Sequence, residues 1–273
     1  MAKLSAFITT FNNETTLDAC LRAVSWADEI LVLDSFSTDR TVDIAKSHGA
    51  RVEQHEFLGY GPQKQSAMEM TTHDFVLLLD ADEVLSDALQ LEIQSLLRDG
   101  PDADGYEIPR WEQTFWRMPN PLTRKNHYLR LFSKRTAHIS DMPVHGAPKI
   151  DGRIARLHHP FYHFGEVDVH TKVDKINHYS TGLVADKVAK GRRPNPWIMV
   201  MYPPLFFIRS FIFKRGFMNG WAGLISSTIG AFYVFLKYAK LYEHQQFERY
   251  GSELMPKEAP PLRTPRELHD RAV

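Results

Sequence analysis

Phe75-Val76-Leu77-Leu78-Leu79-Asp80-Ala81-Asp82-Glu83 decides how the first half of this chain reads. Residues 75–79 are an unbroken apolar run of strand length. A strand apolar on both faces belongs in the middle of a parallel sheet covered by helices. Two carboxylates one residue apart, Asp80 and Asp82, follow at once. In open α/β sheets, ligands bind outside the carboxyl ends of the strands. Hard divalent cations prefer oxygen donors and bridge carboxylates to phosphates. A diphosphate leaving group needs such a cation to neutralise its developing charge. An acidic turn that merely caps the next helix is the plainer alternative.

Outward from this stretch, residues 4–11, 29–34 and 52–57 read as further strands, and residues 15–24 as a helix with Leu17, Leu21 and Val24 at helical spacing. Ser37 is expected to cap a helix through Lys46 that Gly49 closes. Pro62 opens another helix, and Ser86 caps one carrying Leu89, Ile93, Leu96 and Leu97. Strands alternating with helices predict an α/β fold with a parallel sheet covered on both faces. Beyond Gly105 the rhythm changes. Residues 106–108, 128–132 and 154–157 are short strand candidates, and Asp151-Gly152 signals a hairpin between Lys149-Ile150 and Arg153-Ile154. Residues 169–188 read as a helix, and residues 191–196 as a linker.

The chain has 273 residues, 33 basic and 33 acidic side chains, and 43% hydrophobic residues. That composition is globular and argues against disorder. Zero net charge gives no global reason to bind nucleic acid, and no nucleic-acid partner is expected. The single cysteine, Cys20, excludes a disulfide framework within the chain and reads as a small buried hydrophobe rather than a catalytic thiol. Met1-Ala2-Lys3-Leu4 lacks the pattern of a secretory signal, so the catalytic half is expected in the cytoplasm.

After the linker the composition shifts. Residues 197–213 are almost wholly apolar, interrupted by Pro203-Pro204 and Arg209, and residues 217–236 carry no charged side chain. The second stretch is long enough to span a core of ~30 Å. Asn219, Gly220, Gly223, Ser226, Ser227, Thr228 and Gly230 dilute its apolar drive. Lys214 and Arg215 before it, and Lys237 and Lys240 after it, give no orientation. Aromatic rings beside basic residues suit the headgroup region, so a monotopic helical platform is expected. Two core helices packed on the catalytic domain, or a true span, are the alternatives. The tail from Pro256 is expected to be poorly ordered. The expected organisation is a catalytic domain over 1–165 (donor half 1–100, acceptor half 101–165), a helical membrane-associating region over 166–255, and a tail over 256–273.

Two further segments carry chemistry. Asp34-Ser35-Phe36-Ser37-Thr38-Asp39 puts a carboxylate at a strand end, followed by a turn that can bond a nucleoside or cap the next helix. Capping accounts for Ser37 and Asp39, and less well for Asp34. In Thr9-Thr10-Phe11-Asn12-Asn13-Glu14, Phe11 can stack on a base and the polar residues can reach ribose or phosphate. A plain strand-to-helix loop would look the same.

In order and spacing these segments resemble the inverting family 2 glycosyltransferases, which have the GT-A, or nucleotide-diphospho-sugar transferase, fold. Residues 9–12 match that family's first-strand motif, and residues 34–39 its Asp-x-x-Ser-Thr-Asp motif, with Phe36 where glycine is usual. Lys64 falls where the family often has a basic residue, which implies contact with the diphosphate. Asp80-Ala81-Asp82 matches the metal motif and implies Mg²⁺ or Mn²⁺. The resemblance covers residues 4–100. The expected donor-binding set is Thr9, Phe11, Asn12, Glu14, Asp34, Ser35, Lys64, Asp80 and Arg130.

Tyr128-Leu129-Arg130-Leu131-Phe132, Val144-His145-Gly146, His163-Phe164, Lys175-Ile176-Asn177-His178-Tyr179-Ser180 and Lys237-Tyr238-Ala239-Lys240-Leu241 resemble a subgroup, the lipopolysaccharide inner-core β-glucosyltransferases. These move glucose from UDP-glucose to a heptose. The subgroup usually has Val-His-Glu, where this chain has Gly146. An inverting transfer needs one general base. Asp141 is the first candidate and Glu112 the second; either can instead be a surface carboxylate. His163 is a candidate metal ligand beside Asp80 and Asp82. Otherwise His158, His159, His163 and His170 are ordinary loop and helix histidines. Arg130 can grip a phosphate or serve a structural ion pair.

The expected protein is a hexosyltransferase, peripheral on the cytoplasmic face of the inner membrane. It would use UDP-glucose as donor and a membrane-anchored glycolipid core as acceptor. A polyprenyl phosphate or surface-polysaccharide acceptor is the rival enzyme reading. A non-catalytic membrane-bound sugar-nucleotide sensor is the rival of another class.

Overall fold

The computed structural model describes residues 2–140, 146–193 and 195–251. Its first half alternates β1 (Leu4–Thr10), α1 (Leu17–Arg22), β2 (Glu29–Asp34), α2 (Thr41–Ser47), β3 (Arg51–Gln54), α3 (Tyr60–Met70) and β4 (Phe75–Asp80). Then come β5 (Glu83–Leu85), α4 (Asp87–Asp99), β6 (Gly105–Glu112), β7 (Asn126–Ser133), β8 (Ala137–Ile139), β9 (Pro148–Ile150), β10 (Ile154–Arg156) and β11 (Phe161–His163). The helical region holds α5 (Val169–Ala189), α6 (Pro196–Ile208), a π-helical turn (Arg209–Phe213), a 3₁₀ turn (Gly216–Asn219) and α7 (Gly220–Tyr250).

Nine strands form one sheet in the order β3-β2-β1-β4-β7-β6-β11-β5, with β10 beside β6. The half from β3 to β4 is parallel, as expected. The sheet as a whole is mixed, because β7 runs antiparallel to both β4 and β6. Alternating side chains divide β1 and β4 between two cores. Ile8, Leu77 and Leu79 pack in one cluster with Leu17, Cys20, Leu21, Ile93 and Leu97. Phe7, Val76 and Leu78 face the other with Leu31, Leu33, Ala67 and Met68. Each such side chain, fully buried, contributes about 1.5–3 kcal/mol. Burial pushes the Cys20 thiol up, and the carboxylates of Glu83, Asp82 and Asp80 add to the effect. The group is an inert core side chain.

Three local expectations change. Ser37 does not begin the second helix; α2 starts at Thr41, and the Ser37 hydroxyl is committed to Asp34 and to the backbone N–H of Asn12. Asp151-Gly152 joins β9 to β10, but these do not pair: β9 pairs with β8, and β10 with β6. The turn instead folds onto Asp104, whose carboxylate accepts from Arg153 N at 2.9 Å. Helix α6 runs straight through Pro203-Pro204. The Ser86 cap of α4 is as expected, accepting from Leu89 N at 3.2 Å.

The two apolar stretches lie on one another, with Gly230 of α7 against the Phe206 ring of α6. Both are long and apolar enough to cross a membrane by length and composition, Pro196–Phe213 with no part buried and Gly216–Arg249 partly buried. Trp197 is 77% and Trp221 75% exposed. A helix pair buried in the core of the catalytic domain would not leave these rings out. Asn219 ties this region to the loop between β6 and β7. Its carbonyl accepts from Arg117 Nη1 at 3.1 Å, its Oδ1 from Asn120 N at 2.7 Å, and its Nδ2 donates to Thr123 Oγ1 at 3.2 Å.

Candidate functional site

Strand register assembles the site. Parallel pairing sets Thr10 beside Asp34, and Thr9 beside Asp80, at the carboxyl ends of three adjacent strands. That is the edge where open α/β sheets bind ligands. Asp34 is fully buried, and its carboxylate accepts from Ser37 N at 2.9 Å, Gln54 Nε2 at 3.0 Å and the Ser37 hydroxyl. It holds the turn of residues 34–39 in place. The neighbouring loop closes on it: Asn12 N donates to Ser37 Oγ at 2.8 Å, and Thr38 N to Asn12 Oδ1 at 2.9 Å. Glu14 meets Arg40 at 3.2 Å, and Gln63 Nε2 donates to Ser35 Oγ at 3.1 Å. Phe11 and Phe36 are left projecting, more than half exposed. Asn12 and Phe36 have φ of 52° and 61°. The left-handed conformation at Phe36 is the reason glycine suits that position.

Behind this loop lies a charge cluster. Lys64 Nζ sits 2.6 Å from Asp80 Oδ1, and Arg130 Nη2 sits 3.2 Å from Asp80 Oδ2. Arg130 also pairs with Glu83, and Glu83 accepts from Asp80 N at 3.0 Å. Burial opposes the charge on Asp80, but the cations of Lys64 and Arg130 outweigh it and hold the carboxyl well below its usual range. Glu83 is pushed up by burial, with Arg130 pulling the other way. Gln63 Oε1 and Arg130 Nε are buried without a hydrogen-bond partner. Glu83 carries a role that sequence reasoning gave to none of its residues. Its only signal was its place directly after the Asp-x-Asp pair.

A second cluster depends on β11, which lies between β5 and β6. Register sets His163 opposite Glu83 on one side and Glu112 on the other. His163 Nε2 lies 3.3 Å from Asp82 Oδ2, and Nδ1 lies 2.5 Å from Glu112 Oε1. Glu112 Oε2 meets Arg110 Nη2 at 2.6 Å. Burial works against a charge on His163, yet the bonds to Asp82 and Glu112 push its pKa up to about 10. Burial also works against the charge on Glu112, but His163 and Arg110 hold it below the usual range. Both oxygens of Glu112 are thus engaged. Its carboxylate lies behind the imidazole, on the side away from Asp82.

Among the described residues no three His, Cys, Asp or Glu side chains form a ready-made metal cage. Asp82 and His163 suit a cation that displaces the proton from the imidazole Nε2. One carboxylate oxygen and one imidazole nitrogen face each other, with an acidic partner behind the ring fixing its orientation. Gly165 keeps the place open, because a Cβ there would lie 2.7 Å from His163 Nε2 and 3.1 Å from Asp82 Oδ2. Asp80, the other expected ligand, is held by Lys64 and Arg130 instead. Of the other histidines considered, His158 pairs with Glu92 at 2.9 Å, and His170 with Asp174 at 3.1 Å.

Asp141, the first candidate for general base, lies outside the described residues, as do Val144 and His145. Gly146 is described, and its backbone is pressed onto α3. A Cβ at 146 would come within 2.5 Å of Gly61 N, so the glutamate usual there has no room on this backbone. The segments 175–180 and 237–241 meet, with Lys240 Nζ donating to Asn177 O at 2.8 Å and Thr181 Oγ1 at 2.7 Å. Tyr179 approaches the site, its ring 6.5 Å from that of Tyr60. Burial, then Tyr60, then Asp80 and Asp82 push its hydroxyl up.

The model of the family described as glycosyl transferase family 2 matches residues 5–148. The chain belongs to that family. This family 2 glycosyltransferase is 34% identical to an uncharacterised glycosyltransferase of Rickettsia typhi, over 89% of this chain and 88% of that one. It is 29% identical to the lipopolysaccharide core biosynthesis glycosyltransferase LpsC of Rhizobium meliloti, over 88% of this chain and 92% of that one. Among solved structures, TarS 1-349 of S. aureus, in complex with UDP-GlcNAc, superposes with a TM-score of 0.48 at 14% identity, covering 91% of this chain and 92% of that one. The α/β sheet described above is the Rossmann-like GT-A fold of the family.

Proposed function

We propose that this enzyme transfers a hexose, with inversion, from a uridine diphospho-sugar to a core sugar of a membrane-anchored lipopolysaccharide precursor. UDP-glucose is the donor favoured by the resemblance of residues 128–132, 163–164, 175–180 and 237–241. The observation that carries the reading is the pair of clusters at the carboxyl ends of the strands: Lys64–Asp80–Arg130, and Asp82–His163–Glu112.

Each part has a task in such a transfer. The loop of residues 9–14 and the turn of residues 34–39 would hold the nucleoside, with Phe11 against the base. Lys64 and Arg130 supply fixed positive charge for the diphosphate, which gains charge as the sugar departs. Asp82 and His163 would hold Mg²⁺ or Mn²⁺, which shields the leaving diphosphate. Glu112 keeps the imidazole oriented. The acceptor hydroxyl gives its proton to a carboxylate, for which Asp141 is the candidate, since Glu112 is already committed. The helices α6 and α7 would rest in the headgroup region on the cytoplasmic face, as a monotopic platform.

The test is a panel of sugar nucleotides offered with truncated core acceptors to the purified full chain. UDP-glucose is expected to give transfer, and Asp82→Ala to abolish it while UDP-independent folding is kept. Near-wild-type turnover of that variant in the presence of a chelator would overturn the metal assignment. No UDP release with any donor would favour a sensor. Carbonate or high salt is expected to release most of the protein from membranes; release by detergent alone would indicate a span.

A further inference from the structure

We propose that a basic cavity between the β6–β7 loop and the C-terminal helices is a subsite for a phosphate group of the acceptor. The inference rests on the glycosyltransfer reading and adds to it the chemical class of the acceptor's second anchor.

The cavity has a volume of about 240 Å³. One wall is the end of β6, with Arg110 and Glu112. A second is the loop before β7, with Arg124 and Lys125, and the third is the helical region, with Lys214 and Ser227. It therefore reaches from the group behind His163 to the base of the apolar helices. Its two carboxylates are already spent: Glu112 on His163 and Arg110, and Glu166 on Lys172. Three cations are not matched. Lys214 Nζ donates to Asn126 Oδ1 at 3.1 Å, and Lys125 lies 4.5 Å from the centre of the Trp111 ring. Among the described residues, Arg124, Lys125 and Lys214 have no carboxylate partner. Burial, then Arg209, then Arg124 hold the Lys214 ammonium below its usual range, which marks a crowd of like charges.

Arg124 is exposed and Lys125 and Lys214 are half-buried, so water screens them in part, but like charges lining one cavity still repel one another until an anion joins them. Phosphate fits the need, since it takes several donors at once and carries up to two charges. The position fits an acceptor better than a donor. Donor phosphates belong at Lys64 and Arg130, neither of which lines this cavity, whereas its helical wall is the turns before α7 and the first residues of α7. A lipid-linked acceptor lying in the headgroup region would offer a phosphate from that side.

The experiment uses the full chain in detergent with inorganic phosphate as probe, followed by ³¹P line broadening. Wild type is expected to bind phosphate in a way that UDP does not displace. Lys214→Gln combined with Arg124→Gln is expected to weaken that binding at least about tenfold and to leave UDP affinity unchanged. Lys214→Arg alone, which keeps the charge, is expected to retain it. Phosphate binding equal in wild type and the double variant, or displaced by UDP, would overturn the proposal. Failure of wild type to bind UDP would strike the donor reading instead, so the two are separable. The source is read in a second arm. A phosphatase-treated acceptor with a KM raised about tenfold identifies the acceptor's own phosphate. An unchanged KM, with anionic vesicles of phosphatidylglycerol competing for the site, would overturn the acceptor assignment in favour of a lipid headgroup.

Discussion

Replacing Glu83 by Gln separates the two roles that Arg130 can play, structural ion pair or phosphate grip. Glu83 has no exposed surface, and Arg130 is 6% exposed. Removing one partner of a buried pair costs about 3–5 kcal/mol, because the other charge is left without an equal. Two features lower that figure here. Asp80 Oδ2 remains 3.2 Å from the same guanidinium nitrogen, and burial already holds the Glu83 carboxyl above its usual range, so its ionised form is not fully at ease. The expected loss is about 2–3 kcal/mol, which moves a urea midpoint by about 1 M for a slope of about 2–3 kcal/mol/M. Gln keeps the shape and can still accept from Asp80 N. UDP affinity should therefore stay within about threefold, since Arg130 remains beside Asp80. Urea unfolding followed by fluorescence, with UDP titrated by calorimetry, reads both quantities. A stability loss under about 1 kcal/mol would refute the ion-pair reasoning. A loss of UDP affinity above tenfold in a fully stable variant would place Glu83 in the donor site itself.

Glu29 offers a pH test away from the site. Burial opposes its charge, but bonds from Ser5, Thr72 and Arg51 lower its pKa to about 2. A carboxyl lowered on folding contributes stability that is present above its unfolded value and lost as pH falls through the folded one. Glu29→Gln should cost about 2 kcal/mol at pH 7 after allowance for solvent screening, with the difference shrinking between about pH 5 and pH 2; a constant difference across that window would contradict the assignment. Phe36→Gly should relieve a left-handed backbone that costs a non-glycine residue about 1–2 kcal/mol, against about 0.4–1 kcal/mol of added unfolded-state entropy. The net expected by thermal unfolding is a gain of up to about 1.5 kcal/mol, and a clear loss would mean the exposed ring supports the fold.

What was legible in the sequence followed from how strongly each feature repeats. β1, β2 and β4 were readable because each is a strand of six or seven residues whose apolar centre, Ala6–Ile8, Ile30–Leu33 or Phe75–Leu79, ends in polar, functional residues. Their carboxyl ends then had to share an edge, which put Thr9, Asp34 and Asp80 together. β5 and β11 have three residues each, too few to show a period. Without them His163 and Glu112 are two isolated candidates, 51 residues apart. The sheet makes them neighbours, with the Glu112 carboxylate against the His163 ring. The turn at Asp151-Gly152 was visible as a turn, but local chemistry does not say which strand the next segment joins; Gly105 and Asp104 of β6 and its approach decided that. The prolines of α6 misled because they report local cost, whereas an apolar helix packed on α7 is set by its whole surface.

The Asp-x-Asp motif also carries an asymmetry that spacing alone does not reveal. On an extended strand end, residues one apart would point the same way, but the chain turns between β4 and β5, so Asp80 and Asp82 reach different neighbours. Asp80 is tied into cations that stand at the donor edge, and Asp82 opposes an imidazole whose far side is braced by Glu112. The brace itself lines the basic cavity, and that cavity's far wall is joined through Asn219 to the loop at residues 117–123. A buried residue with its carbonyl, amide oxygen and amide nitrogen all engaged resists sliding, because each displacement leaves a polar group unpaired. The start of α7, with Trp221, is therefore fixed relative to the loop at residues 117–123, and on the proposed reading a membrane surface that receives Trp221 would be held at a set distance from Glu112. An acceptor anchored in that surface would need no search in depth, only rotation, to bring its hydroxyl to the sugar.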